Sequence, residues 1–269
     1  MSENILAQII DHKKSEIEAH KKEISLEEMK QKALSMEPFR GPTFLSELIP
    51  LSDKPVSIIA ECKKSSPSKG VICENYEPEK LAKAYQAGGA SCISVLTDEK
   101  YFGGHLSDIA KVRSQCSLPV LRKDFIIDEY QIWQARAYGA HSFLLLSGPL
   151  DQAELQYYIE IGRECDMEPL VECHTEDQLS SALATDAKII GINNRNLSTF
   201  DVDLERSKEL AGILKKHAGK RIAVCESGVK TRDDVVEMQK AGFSAFLIGE
   251  TLVKSDRPAE TLAGLLGHS

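Results

Sequence analysis

A chain of 269 residues with 42% hydrophobic and 28% charged side chains can bury one barrel-sized core or two ordinary ones, which excludes disorder as the default. Its 33 Lys+Arg against 41 Asp+Glu give a formal charge of -8, which argues against a general nucleic-acid or anionic-membrane surface, so any anionic ligand must be held by local charge. Seven scattered cysteines without a C-x-x-C pair suggest neither a disulfide framework nor a zinc site, and no apolar run approaches the roughly 18 residues of a membrane span. A reduced, cytoplasmic protein is expected.

Residues 3 to 22 carry Ile5, Leu6, Ile9, Ile10 and Ile17 at helical spacing, with charges between them, and read as an amphipathic helix. Ser25 followed by Glu28 reads as a capping box that opens a second helix through Leu34, ending before Pro38. These segments form an N-terminal extension, 1–45, expected to cover one end of a catalytic body, 46–269. From Val56 the pattern changes to short β-branched apolar runs alternating with helical segments at intervals of about 20 to 30 residues, the signature of parallel strands with crossover helices. The runs are 56–61, 91–96, 119–123, 142–146, 169–173, 188–192, 221–225 and 244–248. Eight of them predict a single (βα)8 barrel, of the TIM-barrel class. An open doubly wound sheet competes, but the first strand lacks the G-x-G-x-x-G that would usually follow it.

The first run opens into Glu61-Cys-Lys63-Lys-Ser-Ser66-Pro-Ser-Lys-Gly70. Side chains alternate along a strand, so Glu61 and Lys63 share the face opposite Ala60 and Cys62. The hydroxyls, proline and glycine that follow suit an anion-binding turn. Other polar residues end other runs: Lys123 the third, Glu172 the fifth, Asn193 and Arg195 the sixth, Glu226 the seventh. In a βα barrel those C-terminal ends carry the active site. Ser227-Gly228 and Gly249-Glu250 follow the seventh and eighth runs, where barrels often bind phosphate, with Ser66 available to complete the site. Only the backbone N–H of Glu250 is expected to take part, since its carboxylate would oppose an anion. No metal-ligand spacing appears among His105, His141 and His174, and no cofactor is expected.

The motifs around Glu61–Gly70, Lys123-Asp-Phe125, Leu170-Val-Glu172, Gly191-Ile-Asn193-Asn-Arg195 and Glu226-Ser227-Gly228, with Ser94–Gly104 and Phe246–Gly249, closely resemble the indole-3-glycerol phosphate synthase family along essentially the whole chain. The resemblance implies ring closure, decarboxylation and dehydration of 1-(2-carboxyphenylamino)-1-deoxyribulose 5-phosphate in tryptophan synthesis. It further implies Lys123 as the first general acid, Asn193, Arg195 and Glu226 as organisers of substrate hydroxyls and lysines, Ser227 in the pocket wall and Phe125 against the aromatic ring. Lys63, Glu61 and Glu172 are left for the later acid and base steps. Two departures stand out: Glu250 where a serine often follows the glycine, and Asn196 where an aspartate often follows the arginine. The expected partner is the small anionic substrate alone, with a monomer as the working state and a dimer as the alternative. No fused second barrel is expected.

Overall fold

The structure, a computed structural model, describes residues 5–195, 202–217 and 221–268. Asn196 lies outside them. Eight parallel strands close into a barrel: β1 (Ser57–Cys62), β2 (Cys92–Leu96), β3 (Val120–Lys123), β4 (Ser142–Leu146), β5 (Leu170–Cys173), β6 (Ile189–Asn193), β7 (Ile222–Glu226) and β8 (Ala245–Ile248), with β8 pairing back onto β1. Every expected run is a strand, and five of the eight end where expected, while β1, β6 and β7 each run one residue further, to Cys62, Asn193 and Glu226. Asn193 and Glu226 thereby join Glu61 as ladder residues, because backbone pairing continues where side chains turn polar to face the barrel mouth.

The strand period divides the core in two. One set, including Ile59, Cys92, Leu121, Leu144, Leu170, Ile189, Val224 and Leu247, fills the barrel, while the alternate set, including Ile58, Val95, Phe143, Val171 and Phe246, packs outward under the helices. Below the barrel, helix α3 (Phe44–Leu48), capped by Thr43 and Ser46, inserts Phe44 and Leu48 into the inner cluster as a floor. Position 45, the expected edge of the extension, falls inside this helix.

The extension consists of α1 (Ile5–Glu23) and α2 (Leu26–Leu34). The Ser25 capping box forms as the sequence suggests, with the Glu28 carboxylate accepting from the Ser25 N–H at 2.9 Å. Helix α1 buries Ile9 and Ile17, and α2 packs Met29 and Ala33 against the helix Glu129–Ala137.

Candidate active site

The mouth at the C-terminal ends of the strands is a cavity of ≈ 1070 Å³. Strand alternation brings Glu61 of β1, Lys63 just beyond it, Lys123 of β3, Glu172 of β5, Asn193 of β6 and Glu226 of β7 into it together, and Ser66, Phe125, Arg195, Ser227, Gly228, Gly249 and Glu250 line the same space. Leu96 and Leu144 line it as well, whereas Leu121 belongs to the inner core.

Lys123 sits inside a cage of carboxylates. Its Nζ lies 3.6 Å from Glu172 Oε2, 3.9 Å from Glu226 Oε2 and 4.0 Å from Glu61 Oε2. Burial alone would favour the neutral amine, but the three carboxylates outweigh it and hold its pKa above the ordinary lysine value. Lys63 Nζ stands 2.6 Å from Glu61 Oε1, so Glu61 spans the two ammonium groups with its two oxygens.

Glu172 and Glu226 are both buried and interact as a pair, and their environments push them apart. Burial pushes Glu226 up, the Glu172 charge adds to this, and Lys123 does not reverse it. Burial also pushes Glu172 up, but Lys123, His174, the Asn193 amide and a hydrogen bond from Glu226 together bring it below the ordinary glutamate value. Asn193 Nδ2 donates to Glu172 Oε1 at 2.8 Å. The two carboxyls are thus driven in opposite directions, Glu226 towards its protonated form and Glu172 towards the carboxylate that faces Lys123.

Two glycines make these contacts possible. A β-carbon on Gly191 would collide with the Glu226 carboxylate, and one on Gly249 would collide with that of Glu61. Beyond β7 the chain turns through two consecutive left-handed residues, Ser227 (φ 65) and Gly228 (φ 84). Left-handed backbone is unfavourable for serine, and the Asn194 amide holds this turn by donating to the carbonyls of Glu226 and Ser227, each at 2.7 Å. Across the mouth, Thr251 Oγ1 donates to the Val229 carbonyl at 3.0 Å and joins the loops after β7 and β8.

The Glu250 carboxylate does more than the sequence suggests. It lies 2.7 Å from Lys254 Nζ, 3.7 Å from Arg195 Nη2 and 3.9 Å from Lys69 Nζ, and the hydrogen bond from Lys254 leads the interactions that lower its pKa. It is thereby neutralised at the rim, where the half-exposed Lys69 also lines the cavity.

Sequence reasoning missed His174, whose Nε2 is 3.4 Å from Glu172 Oε1. Its position two residues beyond Glu172 was the available signal. Helix α1 helps to shape the entrance as well as covering the barrel, since its Ile5, Leu6 and Ile9 line the cavity. Among the described residues, no group of three or more His, Cys, Asp or Glu side chains converges to hold a metal ion.

A family model described as indole-3-glycerol phosphate synthase matches residues 6–265. The chain belongs to the indole-3-glycerol phosphate synthase family. A relative of that name from Bacteroides thetaiotaomicron is 41% identical over 98% of this chain and 98% of its own length. Another from Kineococcus radiotolerans is 40% identical over 97% of this chain and 94% of its own length, and one from Albidiferax ferrireducens is 46% identical over 78% of each. The crystal structure of a 3-hexulose-6-phosphate synthase superposes with a TM-score of 0.63 at 17% identity, covering 79% of this chain and 99% of that one, a likeness of fold alone. Membership makes the protein an enzyme of tryptophan biosynthesis, a lyase that closes a ring with decarboxylation and acts on a small anionic phosphate substrate. No helix among the described residues is long and apolar enough to cross a membrane.

Proposed function

We propose that Lys123 is the acid that drives ring closure on 1-(2-carboxyphenylamino)-1-deoxyribulose 5-phosphate, and that Lys63 and Glu61 act on the later steps. The observation that carries this reading is the carboxylate cage that keeps Lys123 charged in a buried mouth. Attack of the aromatic carbon on the ketone carbon places negative charge on the ketone oxygen, and an ammonium beside it supplies the proton. The Lys123 amine left behind can be recharged from Glu226, which stores a proton beside it. Lys63 first pairs with the substrate carboxylate. After carbon dioxide departs, Lys63 protonates the leaving hydroxyl, which is released as water, and Glu61 accepts the ring proton that completes the indole. Phe125 and Phe102, whose rings are 5.9 Å apart at the cavity wall, receive the aromatic ring. Asn193 orients Glu172 directly, while Arg195 is suited to the sugar hydroxyls.

The phosphate is assigned to the opposite end, among Ser66, Ser227, Gly228, Gly249 and the backbone N–H of Glu250. Inorganic phosphate or sulfate is therefore expected to compete with substrate. Gly249→Asp should raise KM strongly, and because the new side chain would meet Glu61 and Lys63 it should lower kcat too. A folded variant with native KM would move the phosphate elsewhere.

The proton on Glu226 has a consequence for stability. A carboxyl whose folded pKa is raised contributes stability that is fully present below its unfolded value, 4.5, and is lost as pH rises towards the folded value. Glu226→Gln copies the protonated form at every pH. Urea midpoints measured from about pH 5 to about pH 8 should decline less in this variant than in the parent, by up to about 1.4 kcal/mol per pH unit in stability. Parallel curves would remove the stored proton from the mechanism.

Every side chain given a role above comes from a single chain, so this reading needs no second copy to complete the site. Seven free thiols and a charge of -8 support a cytoplasmic protein without nucleic-acid or membrane partners.

A further inference from the structure

Lys13 of α1 has no part in the roles above, yet its side chain is fully buried. Its Nζ lies 3.0 Å from Asp124 Oδ1, 3.1 Å from Asp98 Oδ2 and 2.8 Å from Glu16 Oε1. A buried ammonium persists only where carboxylates compensate it, and here two of the three are themselves buried on different barrel loops.

Each of those aspartates has a second task. Asp98, just beyond β2, uses Oδ1 to accept the backbone N–H groups of Tyr101 at 2.7 Å and Phe102 at 3.2 Å, so it caps the short helix that carries Phe102. Asp124, just beyond Lys123, uses Oδ1 to accept the N–H of Phe125 at 2.9 Å. Its Oδ2 accepts from Thr97 Oγ1 at 2.6 Å and from Arg122 Nη2 at 2.9 Å, which locks the carboxylate plane. The Phe102 and Phe125 amides are thus tied to two carboxylates held together by one ammonium from α1. Helix α1 is fastened to the same loop again, where the Tyr101 hydroxyl donates to the Gln8 carbonyl at 3.4 Å.

We infer that Lys13 is a positioning residue for substrate recognition: it fixes the spacing of Phe102 and Phe125, and through them the wall that receives the carboxyphenyl ring. Lys13 touches no substrate. The inference rests on the proposal that these two rings bind the aromatic part of the substrate, and it gives the N-terminal helix a defined share in specificity.

Steady-state kinetics on the full chain test it with two probes, the carboxyphenylamino sugar phosphate and inorganic phosphate as a competitive inhibitor at the far end of the cavity. Lys13→Met should raise KM for the substrate roughly 3- to 10-fold, the range expected for loss of aromatic packing. The inhibition constant for phosphate should change less than about 2-fold, since general loosening of the barrel would weaken both. Because Lys13→Met leaves Asp98 without a counter-charge and Asp124 with Arg122 alone, and can fail to fold, the pair Lys13→Met with Asp98→Asn is measured beside it; the asparagine oxygen still caps Tyr101 and Phe102. An unchanged KM in the folded variant, or equal rises in KM and in the phosphate constant, overturns the inference. Phe125→Leu separates it from its premise. If Phe125→Leu leaves KM unchanged, the ring-binding reading fails and the inference falls with it; a raised KM there beside native KM in the Lys13 variants overturns the inference alone.

Discussion

Lys123→Ala is expected to lower kcat by about 10²- to 10⁴-fold, the usual loss for a positioned general acid, while substrate binding weakens far less. No neighbouring ammonium can replace it within the cage: Lys63 is engaged 2.6 Å from Glu61 and belongs to another strand. The variant also leaves Glu61, Glu172 and Glu226 around a space that has lost its counter-charge, so part of the expected loss is collapse of the carboxylate arrangement. Lys123→Arg, which keeps the counter-charge but holds its protons too tightly to serve as the acid, controls for this; it should stay far below the parent rate. Lys63→Ala should behave differently, raising KM through loss of the carboxylate contact and lowering kcat at a later step. Single-turnover measurements separate the two, since the Lys123 variants should hold unreacted substrate and the Lys63 variant a decarboxylated, still hydrated intermediate. Carbon dioxide released by Lys123→Ala at the parent rate would transfer the first acid role to Lys63.

Removal of residues 1–42, which spares the Phe44–Leu48 floor, is expected to cost more stability than an amphipathic cover would. Loss of Lys13 strands Asp98 in the interior and leaves Asp124 with Arg122 alone, and breaking a buried charge pair from one side costs about 3–5 kcal/mol. Loss of the burial of Ile9, Ile17, Met29 and Ala33 adds to it. The cavity also loses the wall formed by Ile5, Leu6 and Ile9, so KM should rise in whatever fraction still folds. Chemical unfolding and kinetics on the shortened chain check both effects. A truncated barrel with native midpoint and native KM would leave the extension without either role.

The eight strands were legible because period-2 alternation and apolar β-branched runs are local signals, and the site was legible because Glu61, Lys123, Glu172, Asn193 and Glu226 each terminate such a run. The rest depends on distances between strands. That Gly191 makes room for Glu226, or that His174 approaches Glu172, follows from register and closure, which no window of sequence contains. Lys13 reads as one of several wet-side lysines on α1 because its helix gives no sign of the two barrel aspartates, 85 and 111 positions later, that bury it. Taken alone, the Glu250 carboxylate would be unfavourable to an anion. Lys69, Lys254 and Arg195 change its charge balance, and they come from other loops or a helix turn away.

The most direct test incubates the intact protein, in EDTA, with 1-(2-carboxyphenylamino)-1-deoxyribulose 5-phosphate, with and without borohydride, and follows indole fluorescence, carbon dioxide and protein mass. Expected is stoichiometric formation of indole-3-glycerol phosphate and carbon dioxide, with no mass added to the protein by reduction, because both lysines act as ammonium acids and form no bond to carbon. A borohydride-trapped adduct on Lys123 or Lys63, the mark of a Schiff-base aldolase, or turnover that requires an added divalent ion, would contradict it.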